Sequence, residues 1–158
     1  MFRIGFGFDT HKLDDKHDFW MGGILVPHTK GAVGHSDADV LIHAIIDALL
    51  GAAGLRDIGY QFPDTDPSLE GIDSKILLNN TLKLITEKGF SIGNIDATIV
   101  LQSPKISHFI PEMISVLTKT MKLESGQLSI KAKTSEKLGF IGREEGISAY
   151  AVVLLERE

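Results

Sequence analysis

Between Arg3 and Asp9 the chain alternates with period two: Ile4, Phe6 and Phe8 share one side of an extended segment, and Gly5, Gly7, Asp9 and then His11 share the other. A strand of this kind has one apolar face and one face almost without side chains, which permits close approach of a ligand or of another backbone. The second constraint is a helix expected from Ala38 to about Ala52, ending at Gly51 or Gly54, that is apolar almost all round and so must be buried. Its polar exceptions, Asp39, His43 and Asp47, are spaced i, i+4, i+8 and fall in one stripe. Ser36-Asp37-Ala38-Asp39 reads as its N-terminal cap, a serine with an acidic residue three positions on.

The remaining pattern alternates strands and helices. Phe19 to Pro27 reads as a hairpin around Gly22-Gly23, Ser74 to Lys88 and Phe109 to Lys122 as amphipathic helices, and Ile95 to Gln102, Leu128 to Ala132 and Ile147 to Leu155 as strands. Arg56 to Asp73 is rich in Asp, Gly and Pro and is expected to be a long ordered loop or one that moves over a site. About four long strands with helices over one sheet face give an α/β protein of the α+β type. Ile147 to Leu155 is apolar on both faces, so the other sheet face is expected to be covered too, most simply by another subunit.

With 158 residues and 43% hydrophobic composition, one domain spanning residues 1–158 is expected. No leader or bilayer-length apolar run is visible, so a cytoplasmic address and no membrane contact are expected. The chain has no cysteine, which leaves nitrogen and oxygen as metal ligands, and its net charge of −5 argues against nucleic-acid binding.

Taken singly, Asp9 could cap a strand end, His11 could be a surface residue, and His43 could be a core histidine satisfied by a helix carbonyl, Asp39 or Asp47. Together they offer a carboxylate and two imidazoles to one Zn²⁺ with an open fourth position. A buried imidazole left unpaired costs about 1–3 kcal/mol, so His43 has to be paired or ligated, with a neighbouring Asp expected to orient the ring. His35 stands before a helix N-terminus, where backbone N–H groups favour a phosphate. Thr134-Ser135-Glu136 could start a turn, or could address a phosphate and a second hard cation. His17, His28 and His108 show no partner pattern and read as surface residues.

These segments resemble, over nearly the whole chain, the 2-C-methyl-D-erythritol 2,4-cyclodiphosphate synthase family, zinc enzymes of the non-mevalonate isoprenoid pathway. The resemblance rests on the blocks Arg3 to His11, His35 to Asp39, His43 to Ala52, Asp57-Ile58-Gly59, Phe62 to Pro67, Gln102-Ser103-Pro104-Lys105, and Thr134 to Phe140 with Gly142-Arg143. It implies a homotrimer with a mixed four-stranded sheet per subunit, helices outside, sheets around a central cavity, and active sites between neighbouring subunits. It implies Zn²⁺ on Asp9, His11 and His43, and Mg²⁺ or Mn²⁺ on Glu136. Ser36, Asp57, Ile58, Gly59, Phe62, Pro63, Asp64, Thr65 and Asp66 are implied to contact the methylerythritol phosphate and ribose. Leu101, Gln102, Ser103, Pro104, Lys105, Ile106 and Ser107, with Ala132, Lys133, Thr134, Ser135 and Glu136 of a neighbour, are implied to hold the cytidine diphosphate. His35 and Thr134 match positions for transition-state stabilisation, and Phe140 and Arg143 match phosphate-side or cavity positions.

Two positions depart from the pattern: Phe6 stands where many relatives carry histidine, on the side away from the metal face, and Glu144 stands where glycine is common, which weakens any anion-binding by Arg143. The implied activity is a phosphorus-oxygen lyase that closes the 2,4-cyclodiphosphate and releases CMP, with the 2-phosphate oxygen attacking the β-phosphorus. Two other readings of the bare metal spacing are a zinc hydrolase that activates water and a noncatalytic metal- or nucleotide-binding protein.

Overall fold

The computed structural model describes residues 1–157. Its element order is β1 (Phe2–Asp14), β2 (Trp20–Met21), β3 (Ile24–Leu25), β4 (Gly31–Val33), α1 (Val40–Ala53), α2 (Ile58–Gln61), α3 (Ser74–Glu87), β5 (Ser91–Val100), α4 (Ile110–Met121), β6 (Leu128–Lys133), α5 (Gly139–Gly142) and β7 (Gly146–Glu156), with short 3₁₀ turns at Pro67–Leu69 and Ser107–Phe109. The main sheet has five strands in the order β4-β1-β7-β5-β6, antiparallel except for the parallel pair β5 and β6. The sheet is therefore mixed as expected, but it carries a fifth strand. Gly31–Val33 pairs with Lys12 to Asp14 at the end of β1, and three residues are too few to show an alternating pattern.

Helix α1 lies on β1 and β7, α4 lies on β6, and α3 packs against both helices. The covered face is lined by Ile95, Ala97, Ile99, Ile147, Ala149, Ala151 and Val153, all buried. The glycine face of β1 explains how closely α1 sits. A Cβ on Gly5 would lie 1.9 Å from the Ala48 carbonyl oxygen, and one on Gly7 would lie 2.3 Å from that of Ala44, so only glycine admits the helix backbone here. With Ala44 over Gly7, the preceding residue, His43, is carried toward Asp9 and His11, the next residues on that face of β1.

The start of α1 differs from the sequence expectation. Ala38 has φ of +57°, so the helix cannot begin there, and the N-cap is Asp39, which accepts the Ile42 N–H at 3.0 Å. The Asp39 carboxylate also accepts the N–H groups of Gly22 and Gly23 at 3.0 and 2.7 Å. Both glycines have positive φ, as the tight turn of the β2–β3 hairpin requires. Burial pushes the Asp39 carboxyl pKa up against those bonds. The segment between α1 and α3 contains α2 and a 3₁₀ turn, so it is structured for much of its length. Among the described residues no helix is long and apolar enough to cross a membrane.

Candidate metal centre and its surroundings

The period-two alternation of β1 puts Asp9 and His11 on the side that faces α1, and His43 meets them from the helix. Asp9 Oδ2 lies 2.8 Å from His11 Nε2 and 3.0 Å from His43 Nδ1, and the two ring nitrogens are 3.1 Å apart. Tetrahedral zinc with bonds of about 2.0–2.1 Å sets its ligand atoms about 3.3 Å apart, so this triangle needs to open by only a few tenths of an ångström. His11 Nδ1 is 2.9 Å from the Val33 carbonyl, which can only accept, so that nitrogen carries a hydrogen and, in the neutral ring, Nε2 turns its lone pair to the centre. Burial alone would raise the Asp9 carboxyl pKa, but hydrogen bonds from His11 and His43 outweigh it and hold the group well below the usual range. Burial would lower that of His11, yet the Asp9 bond and charge win and raise it. A carboxylate oxygen and two imidazole nitrogens converging on one point are the donor set of a divalent cation that takes the place of the protons between them, and these residues fit one.

A cavity of about 280 Å³ opens over this triangle, lined by Asp9, His11, His35, Ser36 and His43 with Ile58, Gly59, Phe62, Asp64, Leu69, Ile72 and Leu77. Asp47 accepts the Ile58 N–H at 3.1 Å and so anchors the loop to α1, with burial pushing its own pKa up. Asp57 caps α2 through the Tyr60 N–H. Asp66 is engaged by the backbone and hydroxyl of Ser68 at 2.9 and 2.7 Å, while its carbonyl lies 3.3 Å from His35 Nε2. Pro63 and Thr65 are exposed beside it. The ring of His43 is not oriented by Asp39 or Asp47, as the helix stripe implied. Its Nε2 lies 3.0 Å from the Ser36 hydroxyl and 2.9 Å from that of Ser74. Ser36 is thus not the helix cap; its oxygen meets His43 and accepts the Ala38 N–H.

The other expected site residues gather elsewhere. None of Leu101 to Ser107 or Ala132 to Glu136 lines the cavity. They form a second cluster at the C-terminal ends of β5 and β6, where Leu101 N–H donates to the Lys133 carbonyl at 2.9 Å and the Lys137 N–H donates to Gln102 Oε1 at 3.0 Å. Thr134 Oγ1 donates to Glu136 Oε1 at 2.9 Å, and Ser135 Oγ donates to the Leu138 carbonyl at 2.7 Å. Glu136 and Lys137 hold left-handed backbone, φ +53° and +64°, a strained pair of the kind that collects at ligand-holding turns. Ser103, Pro104 and Lys105 reach the surface of this cluster, whereas Leu101 and Ile106 are core residues, so contact from them would come from the backbone. Phe140 is exposed near Gly146, and Arg143 is held by Glu145 at 3.0 and 3.1 Å. His17 is not free either, being 2.6 Å from Asp14, and the half-buried His28 ring packs against Phe19.

The register gives the separation of the two clusters. Asp9 pairs with Ala149, Ala149 with Ile99, and Ile99 with Ala132, a single row across the sheet. Three strand spacings make about 14 Å.

Comparison with known proteins turns this geometry into kinship, because the YgbB family model matches residues 2–156. The chain belongs to the YgbB family. A relative from Porphyromonas gingivalis, named 2-C-methyl-D-erythritol 2,4-cyclodiphosphate synthase, is 60% identical over 154 residues, covering 98% of this chain and 95% of the relative. A solved structure of 2C-methyl-D-erythritol-2,4-cyclodiphosphate synthase in its CDP-bound form is 36% identical with a TM-score of 0.90, covering 98% of this chain and 100% of that one. The bifunctional IspDF from Campylobacter jejuni is 40% identical with a TM-score of 0.96, and covers all of this chain but 43% of that one. As a YgbB member the chain stands among isoprenoid-pathway synthases, with a metal triad built by the two elements that the family's shared sheet brings together.

Proposed function

We propose that this chain converts 4-diphosphocytidyl-2-C-methyl-D-erythritol 2-phosphate to 2-C-methyl-D-erythritol 2,4-cyclodiphosphate and CMP, with Zn²⁺ on Asp9, His11 and His43 and Mg²⁺ or Mn²⁺ at Glu136. The observation that carries the reading is the triangle of Asp9, His11 and His43 at the floor of a cavity with apolar walls. The bound zinc supplies Lewis acidity to a phosphoryl oxygen. Glu136 offers one exposed carboxylate, which suits a hard cation that takes its other ligands from substrate phosphates and water.

The chain's own work is alignment. Ile58, Phe62, Leu69, Ile72 and Leu77 give a dry wall for the branched carbon skeleton, while His35 and Ser36 present polar groups to its phosphate. The attacking phosphate oxygen is already anionic, so no base has to create it. Holding both ends of one substrate in line is worth about 7–11 kcal/mol, more than general-base catalysis contributes. Thr134 and the strained turn at Glu136-Lys137 stand in the cluster proposed to hold the cytidine diphosphate.

The two half-sites of one chain lie about 14 Å apart along the sheet, a separation that supports a site completed by a neighbouring subunit of a homotrimer. The open sheet face offers the surface for it: Ile4, Phe6 and Phe8 are 75%, 61% and 58% exposed, and Tyr150 stacks between the two phenylalanines. The test is ³¹P NMR of the authentic substrate with purified protein, zinc and magnesium. Cyclic diphosphate and CMP are expected; turnover with no cyclic diphosphate would mean a hydrolase, and unchanged substrate a noncatalytic binder.

A further inference from the structure

The two serines that meet His43 are not equivalent. Ser74 is fully buried at the start of α3, and its hydroxyl donates to Asp37 Oδ1 in a short hydrogen bond. Asp37 cannot yield its place: Oδ2 accepts the Ser74 N–H at 2.9 Å, Oδ1 also accepts the Asp39 N–H at 3.1 Å, and its own N–H donates to the Ile72 carbonyl at 3.1 Å. A carboxylate only accepts, so the Ser74 hydrogen is committed and its lone pairs are left for the His43 Nε2–H, 2.9 Å away. Ser36, also 3.0 Å from Nε2, lines the cavity and has no acceptor for its own hydroxyl hydrogen among the described residues.

We propose that Ser74, fixed by Asp37, is a positioning residue that holds His43 as its Nε2–H tautomer and presents the Nδ1 lone pair to the metal, leaving the Ser36 hydroxyl to turn toward a bound ligand. The proposal deepens the metal reading of Asp9, His11 and His43 and rests on it. The chain Asp37, Ser74, His43 places a hydroxyl between the carboxylate and the imidazole, so the ring is oriented without a carboxylate in direct contact with Nε2. Partners of this kind, one step beyond the ligands, fix ring orientation and ligand basicity.

The experiment compares the parent with Ser74→Ala and Ser36→Ala, using zinc alone. Chelator competition is expected to show a loss of about 10–100-fold in zinc affinity for Ser74→Ala and less than about threefold for Ser36→Ala, in which Ser74 still holds the ring. ¹⁵N–¹H NMR of the zinc-bound parent is expected to show a His43 Nε2–H protected from solvent exchange by Ser74, with faster exchange in Ser74→Ala. Thermal melts in chelator check that each variant folds; if Ser74→Ala does not, Ser74→Cys, close in volume and a weak acceptor, replaces it in both measurements. A zinc-binding parent matched by the Ser74 variant in zinc affinity or in exchange of the His43 Nε2–H overturns the role of Ser74. A parent that binds no zinc overturns the metal reading itself.

Discussion

The two faces of β1 are made by alternate residues of the same strand, yet they differ in almost every physical respect. On the covered face Gly5 and Gly7 admit the backbone of α1 to contact distance, and the row continues into Asp9 and His11. On the open face Ile4, Phe6 and Phe8 stand away from the chain's own core. Further across the sheet the open side turns polar, with Lys131 and Asp96 paired at 2.5 Å. One face thus concentrates close packing and chemistry, and the other concentrates unspent apolar surface at β1 and β7 only. Substitutions on the two faces should therefore fail in different ways.

The largest effect is expected for Gly7→Ala, whose methyl would meet backbone on two sides. A loss of at least about 3 kcal/mol, or roughly 6–12 °C in Tm, is expected in urea and thermal melts, with the metal site lost alongside. A variant as stable as the parent would break the claim that the covered face is set by backbone contact. His43→Ala comes next: metal analysis should find no stoichiometric zinc and turnover should vanish, while far-UV circular dichroism stays native. On the open face, Phe6→Ser with Phe8→Ser should leave each chain folded but dissociate the proposed trimer in sedimentation velocity, and the proposed sharing of each site predicts that activity falls more than about tenfold. A trimer that survives both changes would place assembly elsewhere.

A smaller effect concerns pH. The raised pKa of His11 stabilises the metal-free fold below its ordinary value of 6.5 and that contribution is lost as pH rises through the folded value. Zinc must displace that proton, so its affinity runs the other way, weakening by about tenfold per pH unit for each proton displaced as pH falls. Melts with and without chelator across this range should show the zinc-dependent gain in Tm growing with pH. The smallest effect is expected for Gly51→Ala, where a Cβ meets nothing within 4 Å, and a gain of about 0.4–1 kcal/mol should appear with no change in activity.

The parts legible in the sequence are those governed by local periodicity or turn chemistry. The same-side placement of Asp9 and His11, the Gly22-Gly23 hairpin and the buried α1 followed from spacing of two, from paired glycines and from an all-round apolar pattern. What stayed hidden depends on contacts between distant segments. Ser74 sits 37 residues from Asp37 and reads locally as one more polar residue after the Asp73 cap. The cap at Asp39 is not legible because nothing in the sequence announces left-handed backbone at Ala38. The division of the expected ligand contacts into two clusters is likewise a property of strand order, which puts β7 and β5 between β1 and β6.

The row from Asp9 through Ala149 and Ile99 to Ala132 works as a rigid ruler. Within one chain the metal triad and the Ala132 end are mounted on the same hydrogen-bonded frame, so their spacing does not change when surface loops change length. A redesigned Thr134 to Leu138 turn at the Ala132 end should accordingly leave the geometry of the metal end unchanged.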